Sequence, residues 1–501
     1  MTREGQPHVM KVFLVVAVLS ALSISGCMVG PDYHAPRRQA PVAWAGVSEA
    51  SASQPSAATS QPAELARWWE TFGDPKLTDL VNEALQANLS LQLAQARLRH
   101  ARFQRGVVIG GLFPAASGTA SYQRVRPAGA TAKEADLWQA GLDAAWELDV
   151  FGGARRDVES ANASVLAARE GVRDVQVSLA AEVALNYILL RGYQQQIVIA
   201  RNNLKSQQHT ADITHQRLAA GFVSALDVAN ADALVYTTES TIPVFEMSAR
   251  QSIYAISVLL ARPPADLLKD LSDTGDVPSA PAQLPVGLPS DLLRRRPDIR
   301  QAEAQVHAAT AQIGVATADL FPKFSLTGDI NWQAASTGSL FKDVSRSWGF
   351  GPSASWAIFQ GGSIVSNIRA QEALRDQAFI TYQQTVLNAF QDVENTLIAL
   401  AKEQEHRKSL INAVTANRKA VDVSMQLYTQ GQTDFLNVLN AERSLFVSED
   451  AVVQSNRNVA TDIIALYKAL GGGWERPPVR QSTSAPAIQP QATVPGASAT
   501  R

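Results

Sequence analysis

The sequence is poor in the residues on which much protein chemistry is built. One cysteine, Cys27, in 501 residues excludes a disulfide framework and a cysteine-rich metal site. Charged residues make up 18% of the chain, against roughly 25% in an ordinary soluble domain. Lys and Arg number 44 against 46 Asp and Glu, a net charge of -2. Without a basic surplus nucleic acid is excluded as a default partner, because phosphate binding needs a basic face. No apolar run reaches the ~18 residues of a membrane-spanning helix. Gly-Lys, His-Glu-x-x-His and Gly-x-Ser-x-Gly are all missing, so the common phosphate-loop, zinc-protease and serine-hydrolase signatures are absent. The seven histidines are scattered and read as surface residues. Neither an enzyme nor a cofactor is indicated.

Helix breakers are missing too. Positions 128–242 and 353–476 contain no proline, and between Ser363 and Leu470 the only glycine is Gly431. Helix is the cheapest conformation for such stretches. Val386, Phe390, Val393, Leu397 and Leu400 step 4-3-4-3, and Leu439, Phe446, Val453, Ala460 and Tyr467 step by seven, as in coiled-coil seams. A helix from Ser363 to about Tyr428 is about 98 Å long at 1.5 Å per residue. Gly431 reads as the bend to an antiparallel return helix, with Gly221 doing the same earlier in the chain. Pro243, inside the first return helix, predicts a kink.

The chain is written twice. The segment Ala219–Asp232 lines up with Thr429–Glu442 at an offset of 210. Leu112-Phe113-Pro114 recurs as Leu320-Phe321-Pro322, and Gly152-Gly153 as Gly361-Gly362. Units this long are a duplicated half rather than a solenoid array. Between the helices, apolar and polar residues alternate over Trp138–Val150, Phe324–Trp332 and Ser347–Ile358, with a weaker, small-residue candidate at Ala116–Tyr122. A strict period of two with tryptophan near the ends is the pattern of outer-membrane strands. One hairpin per half gives four strands, which cannot close a barrel, and an open edge cannot sit in lipid. The chain must therefore share its barrel with copies of itself.

Arg3 and Lys11 precede an 11-residue apolar run, Val12–Leu22, which fits a secretory signal and is too short to span a bilayer. Ile24-Ser25-Gly26-Cys27 then resembles a bacterial lipobox. This implies cleavage before Cys27, a covalent lipid on its sulfur, an acylated new amino terminus and no cofactor besides, and, with Met28 rather than aspartate following, residence at the outer membrane.

These pieces together resemble the TolC-like outer-membrane efflux channel family, most closely its OprM-like and NodT-like lipoprotein branch. The resemblance rests on Cys27–Tyr33, Trp68-Trp69 with Phe72-Gly73-Asp74, and Arg294–Ile299. The two Leu-Phe-Pro turns, Val438–Arg443 and Tyr467–Trp474 complete it. It implies a mostly α fold with a β-barrel, in which a homotrimer forms a 12-stranded outer-membrane barrel continuing into a long periplasmic α-helical tunnel. The implied division is a signal peptide at 1–26, a lipidated segment and tether at 27–62, repeat 1 at 63–262, a connector at 263–289, repeat 2 at 290–474 and a disordered tail at 475–501, with barrel strands at about 114–150 and 322–359. The implied partners are a periplasmic adaptor, meeting the helix bends at Gly221 and Gly431, and an inner-membrane RND-type drug/proton transporter. The implied function is a passive exit duct for drugs or other small toxic molecules. A type I secretion duct or a lipid-anchored coiled-coil scaffold is the alternative. The implied gate lies at the periplasmic tip: Tyr428, Asn437, Asn440 and Arg443 in the second half, Asp227 and Asn230 in the first. Relatives can hold aspartate at 437 and 440, so the asparagines here replace a charged ring with a neutral one. Arg443 with Asp227, or with another carboxylate, is the candidate lock.

Overall fold

The computed structural model describes residues 28–36, 40–46, 57–59, 65–126, 128, 133–279, 281 and 283–475. Cys27, the expected signal peptide and the tail after 475 lie outside the described residues. Seven helices of at least 13 residues account for most of the chain. They are α1 (Pro75–Ala87), α2 (Leu89–Gly110), α3 (Gly153–Ala219), α4 (Ala225–Leu259), α5 (Pro297–Ala318), α6 (Ser363–Thr429) and α7 (Phe435–Ala469). The duplication is kept residue for residue in their lengths. α2 and α5 have 22 residues, α3 and α6 have 67, and α4 and α7 have 35. At 1.5 Å per residue α3 and α6 are each about 100 Å long. α4 runs through Pro243 as one helix.

Four strands form one antiparallel sheet in the order β1 (Ala115–Val125), β2 (Ala135–Leu148), β3 (Lys323–Ala334) and β4 (Arg346–Ser355). β1 and β2 are one hairpin, β3 and β4 the other, and β2 zips to β3 from Trp138 opposite Ala334 to Leu148 opposite Phe324. β1 has little side chain of its own to bury, and its 11 residues are held by pairing with β2 from Ala115–Ala145 to Val125–Ala135. The sheet leaves the far edges of β1 and β4 unpaired within the chain.

The alternation read through Ile358 stops at Ser355. Trp356 turns off the strand, and its indole N–H donates to the Leu320 carbonyl at 3.0 Å. Trp146 donates to the Leu112 carbonyl at 2.9 Å in the same way. Each tryptophan thus ties the end of a hairpin to the Leu-Phe-Pro turn where the incoming helix becomes a strand. Gly152, at φ 80°, and Gly361 and Gly362, at 58° and 82°, supply the left-handed backbone that turns strand back into helix.

The main core sits where the helices are most numerous. Trp68, Trp69 and Phe72 from a short 3-10 turn pack with Leu77 and Val81 of α1, Tyr187 and Ile188 of α3, Ile256 of α4, Val386–Leu400 of α6 and Ile463–Tyr467 of α7. Burying a large apolar side chain is worth about 1.5–3 kcal/mol, so this mid-length girdle holds the two halves together. A second, smaller cluster lies at the far tips of the long helices.

The N-terminal segment is a strap that sews both halves together. The Val29 N–H donates to the Phe151 carbonyl at 3.1 Å. Arg156 of α3, only 2% exposed, donates to the Val29 carbonyl at 3.1 Å, to Asp32 at 2.6 Å and to Glu159 at 2.8 Å. Gly30, at φ 89°, lies so close to α5 that a Cβ there would be 2.4 Å from the Gly314 Cα. Tyr33 stacks on His307 of α5 at 4.1 Å and its hydroxyl donates to Glu303 at 3.2 Å. Farther on, the Ala45 and Gly46 amides donate to Glu394 of α6 at 2.9 and 2.8 Å. His307 is therefore not a free surface residue: its ring nitrogen also lies 2.9 Å from Glu159.

Candidate functional site

The two hairpin tips share one backbone design. At each, a glycine in the left-handed region ends the long helix, Gly221 at φ 79° and Gly431 at φ 72°. The following residue donates back five positions, Phe222 to the Arg217 carbonyl and Gln432 to the Leu427 carbonyl, both at 2.8 Å. This is a Schellman motif, in which the glycine is favoured because an L side chain clashes there. Both glycines face open space.

The chemistry on that common backbone differs. At the first tip Ser224 and Asp227 form a capping box: the Ser224 N–H and hydroxyl both donate to the Asp227 carboxylate, at 2.9 and 2.8 Å. At the second, Asp434 makes no side-chain cap, and Asn437, in the place of Asp227, donates its amide to the Thr433 hydroxyl at 2.8 Å. Asp227 is thus engaged with its own tip. Arg443 is exposed and forms no ion pair among the described residues, so no Arg443–Asp227 lock exists within one protomer. Asn440 is exposed and Asn230 half-buried. Tyr428 does not face open space. It is 2% exposed, with its ring 5.6 Å from that of Phe435 in a cluster with Ala231, Leu234, Val438 and Leu439.

The seam between the hairpins carries no signal that sequence reasoning found. Along α3, Gln196, Asn203, Gln207, Thr210 and Thr214 are buried and Arg217 follows, at steps of 7-4-3-4-3. This is the spacing of a coiled-coil stripe filled with polar side chains. Gln196 donates to Asp450 at 2.7 Å, Asn203 to Glu449 at 2.7 Å and Thr210 to Glu442 at 2.6 Å, all on α7. Burial pushes the Glu442 carboxyl above its ordinary value, the Thr210 hydrogen bond opposing it. Toward the tips the two hairpins thus meet through a polar stripe that ends at a small apolar cluster.

The comparisons with known proteins agree with one another. The profile described as "Outer membrane efflux protein" matches residues 80–262 and 288–472. The chain belongs to the outer membrane efflux protein family. Nodulation protein T of Rhizobium leguminosarum bv. viciae is 34% identical over 481 residues, covering 95% of this chain and 97% of that relative. The antibiotic efflux pump outer membrane protein ArpC of Pseudomonas putida is 32% identical, covering 92% of this chain and 96% of its own. Among solved structures, the outer-membrane channel OprN superposes with a TM-score of 0.83 at 38% identity, covering 89% of this chain and all of the other.

In this outer membrane efflux protein the sheet is the part that meets the outer membrane, and the helices extend into the periplasm. The exposed apolar side chains on the sheet, among them Leu142, Leu326, Trp348 and Phe350, have the character of a lipid-facing surface. No helix among the described residues is long and apolar enough to cross a membrane. In the C-terminal third of α7, burial first and nearby Glu403 second push the Asp462 carboxyl up to about 6. Glu403 itself accepts from Ser455 at 2.5 Å, so the charged run 402–408, which reads in sequence as a solvated face, is partly turned inward.

Proposed function

We propose that three copies of this chain form a passive exit duct whose narrowest point is at the helical tips. The observation behind this is the sheet: four strands, apolar on an exposed face, with both outer edges unpaired. Unpaired backbone costs several kcal/mol per group in hydrocarbon, and only closure removes it. The edge of β4 in one copy pairing with the edge of β1 in the next, three times round, closes a 12-stranded barrel over a tube of six hairpins. The relatives described as efflux pump components support small toxic molecules as cargo, and a periplasmic adaptor and an inner-membrane RND-type transporter as partners. The bends at Gly221 and Gly431, exposed at the end of the tube, are the surface offered to the adaptor. A covalent lipid on Cys27 anchors the N-terminus. The duct performs no chemistry.

At the tips Asn437 and Asn440, repeated in each copy, form neutral rings, and Arg443, unpaired in one protomer, is free to reach a carboxylate of the next. Asp227 and Asn230 stand on the first hairpin near the same level, and Tyr428 supports them from within. Purified protein should run as a cross-linkable trimer that conducts ions in a planar bilayer, and deletion of the gene should sensitise cells to a panel of drugs. A chain that stays monomeric in detergent, passes no current and leaves susceptibility unchanged would instead be a scaffold.

A further inference from the structure

We infer that Arg217 is a positioning residue that clasps the tip of the second hairpin to the first and so holds the tip closed. The inference rests on the tips being the narrowest point of the duct. Arg217 stands in the last turn of α3, two residues before that helix ends, and Tyr428 stands in the last turn of α6. Across 211 residues of sequence, the Arg217 guanidinium donates to the Tyr428 carbonyl at 2.8 Å and, more weakly, to the Thr429 carbonyl at 3.4 Å. Its carbon lies 4.5 Å from the centre of the Tyr428 ring. One side chain therefore does three things at once. It adds a charged donor to the Tyr428 carbonyl at the C-terminal end of α6, which otherwise accepts from the Gly431 N–H of the tip, at 3.0 Å. It sets a positive charge against the negative end of that helix. It stacks on the aromatic ring that anchors the small tip cluster.

Among the described residues no other side-chain hydrogen bond joins the last turn of α3 to α6 or α7. The next hydrogen bond between the hairpins along the polar seam is Thr210 to Glu442. The clasp is also incompletely satisfied. Arg217 Nε, the Tyr428 hydroxyl and both ends of the Gln207 amide are buried and find no hydrogen-bond partner among the described residues. Such groups are costly to keep from water and cost nothing once a seam parts. The tip is thus tied by one guanidinium beside a small apolar cluster shared by both hairpins and, next to that tie, holds polar atoms that gain when it opens. That combination suits a contact that has to release.

The fork geometry makes the prediction specific. Lysine keeps the charge but cannot stack flat on a ring while donating to two carbonyls. Single-channel conductance of purified trimers should rise by at least about two-fold in both Arg217→Met and Arg217→Lys. Tyr428→Phe keeps the ring and the carbonyl and removes only the partnerless hydroxyl, so its conductance should be no higher than the parent's. Asn440→Asp tests the placement of the constriction separately: an acidic ring at the narrowest level should make the current sensitive to block by an added trivalent cation. If Asn440→Asp gains that block while both Arg217 variants conduct like the parent, the clasp is wrong and the tip remains the constriction. If Tyr428→Phe opens the channel as much as Arg217→Met does, any disturbance of the tip suffices and the clasp is again wrong. If Asn440→Asp gains no block, the constriction lies elsewhere and both readings fall. Should Arg217→Met fail to assemble, Arg217→Lys supplies the same comparison.

Discussion

Replacing Gly30 with alanine should unhook the strap without unfolding the chain. Gly30 lies at φ 89°, and an added Cβ would stand 2.4 Å from the Gly314 Cα and 3.0 Å from its nitrogen. Both are backbone atoms of α5, so no side chain can rotate away. The left-handed backbone alone costs alanine about 1–2 kcal/mol. Displacing the strap further removes from Arg156 its bonds to the Val29 carbonyl and to Asp32, leaving Glu159. Hydrogen bonds to a charged group are worth about 1.5–3 kcal/mol each, and rehydration of the freed groups returns part of that. A net loss of about 3 kcal/mol lowers the docked population roughly 10²-fold, since 1.4 kcal/mol is a factor of ten. The readout is hydrogen exchange at the Val29 amide, which donates to the Phe151 carbonyl. Exchange there should accelerate by about two orders of magnitude. Gly106→Ala is the control: it lies inside α2 with nothing within 4 Å, and should leave that rate unchanged. An unchanged Val29 exchange rate in Gly30→Ala would refute the reasoning, because the overlap leaves the strap no other way to relax.

Four further substitutions probe the tips and the core. Arg443→Ala should raise single-channel conductance if the exposed guanidinium bridges neighbouring copies; an identical conductance would remove Arg443 from the gate. Ser224→Ala deletes the capping box of α4 and should cost about 1 kcal/mol, read as roughly five-fold faster amide exchange in its first turn. Asp434→Ala, where no side-chain cap exists, should change little. Asp462 holds its proton up to about 6 in the fold, above the ordinary 3.8. A carboxyl with a raised folded value adds no cost while protonated in both states, and destabilises increasingly as pH rises from about 4 to about 6. Asp462→Asn should therefore raise the melting temperature at about pH 7.5, with the gain vanishing near pH 4. A gain that is the same at both pH values would mean that the effect is packing rather than charge.

The architecture was legible because its signals are local and repeated. Missing prolines and glycines marked the long helices, Gly221 and Gly431 marked their bends, and a period of two marked the strands through Trp138–Leu148 and Phe324–Trp332. β1 was faint because small residues leave alternation little contrast, and pairing with β2 supplies what its side chains do not. Trp356 read as the end of a strand, since a tryptophan capping an alternating run looks the same whether it faces lipid or reaches back to a turn. The functional details were hidden for a different reason. Arg156, Arg217 and Glu442 each look like an ordinary helix charge, and only contacts across more than 120 residues show that they are engaged with Asp32, Tyr428 and Thr210. His307 misled in the same way, its partners lying on the strap and on α3. Asp227 pointed toward a distant arginine, whereas the serine three residues before it takes its carboxylate.

The strap also sets a length. The Val29 amide is fixed to Phe151, at the foot of the β2 strand, and Cys27 is two residues away along the chain. Two residues of extended backbone reach about 7 Å. A lipid carried on Cys27, as proposed above, would therefore have almost no slack. With that lipid in place, a covalent ruler would register the bilayer surface to one level of the protein, three times around the axis. Lengthening the chain by a few flexible residues between Cys27 and Val29 would release that register while leaving both the acyl chains and the strap intact.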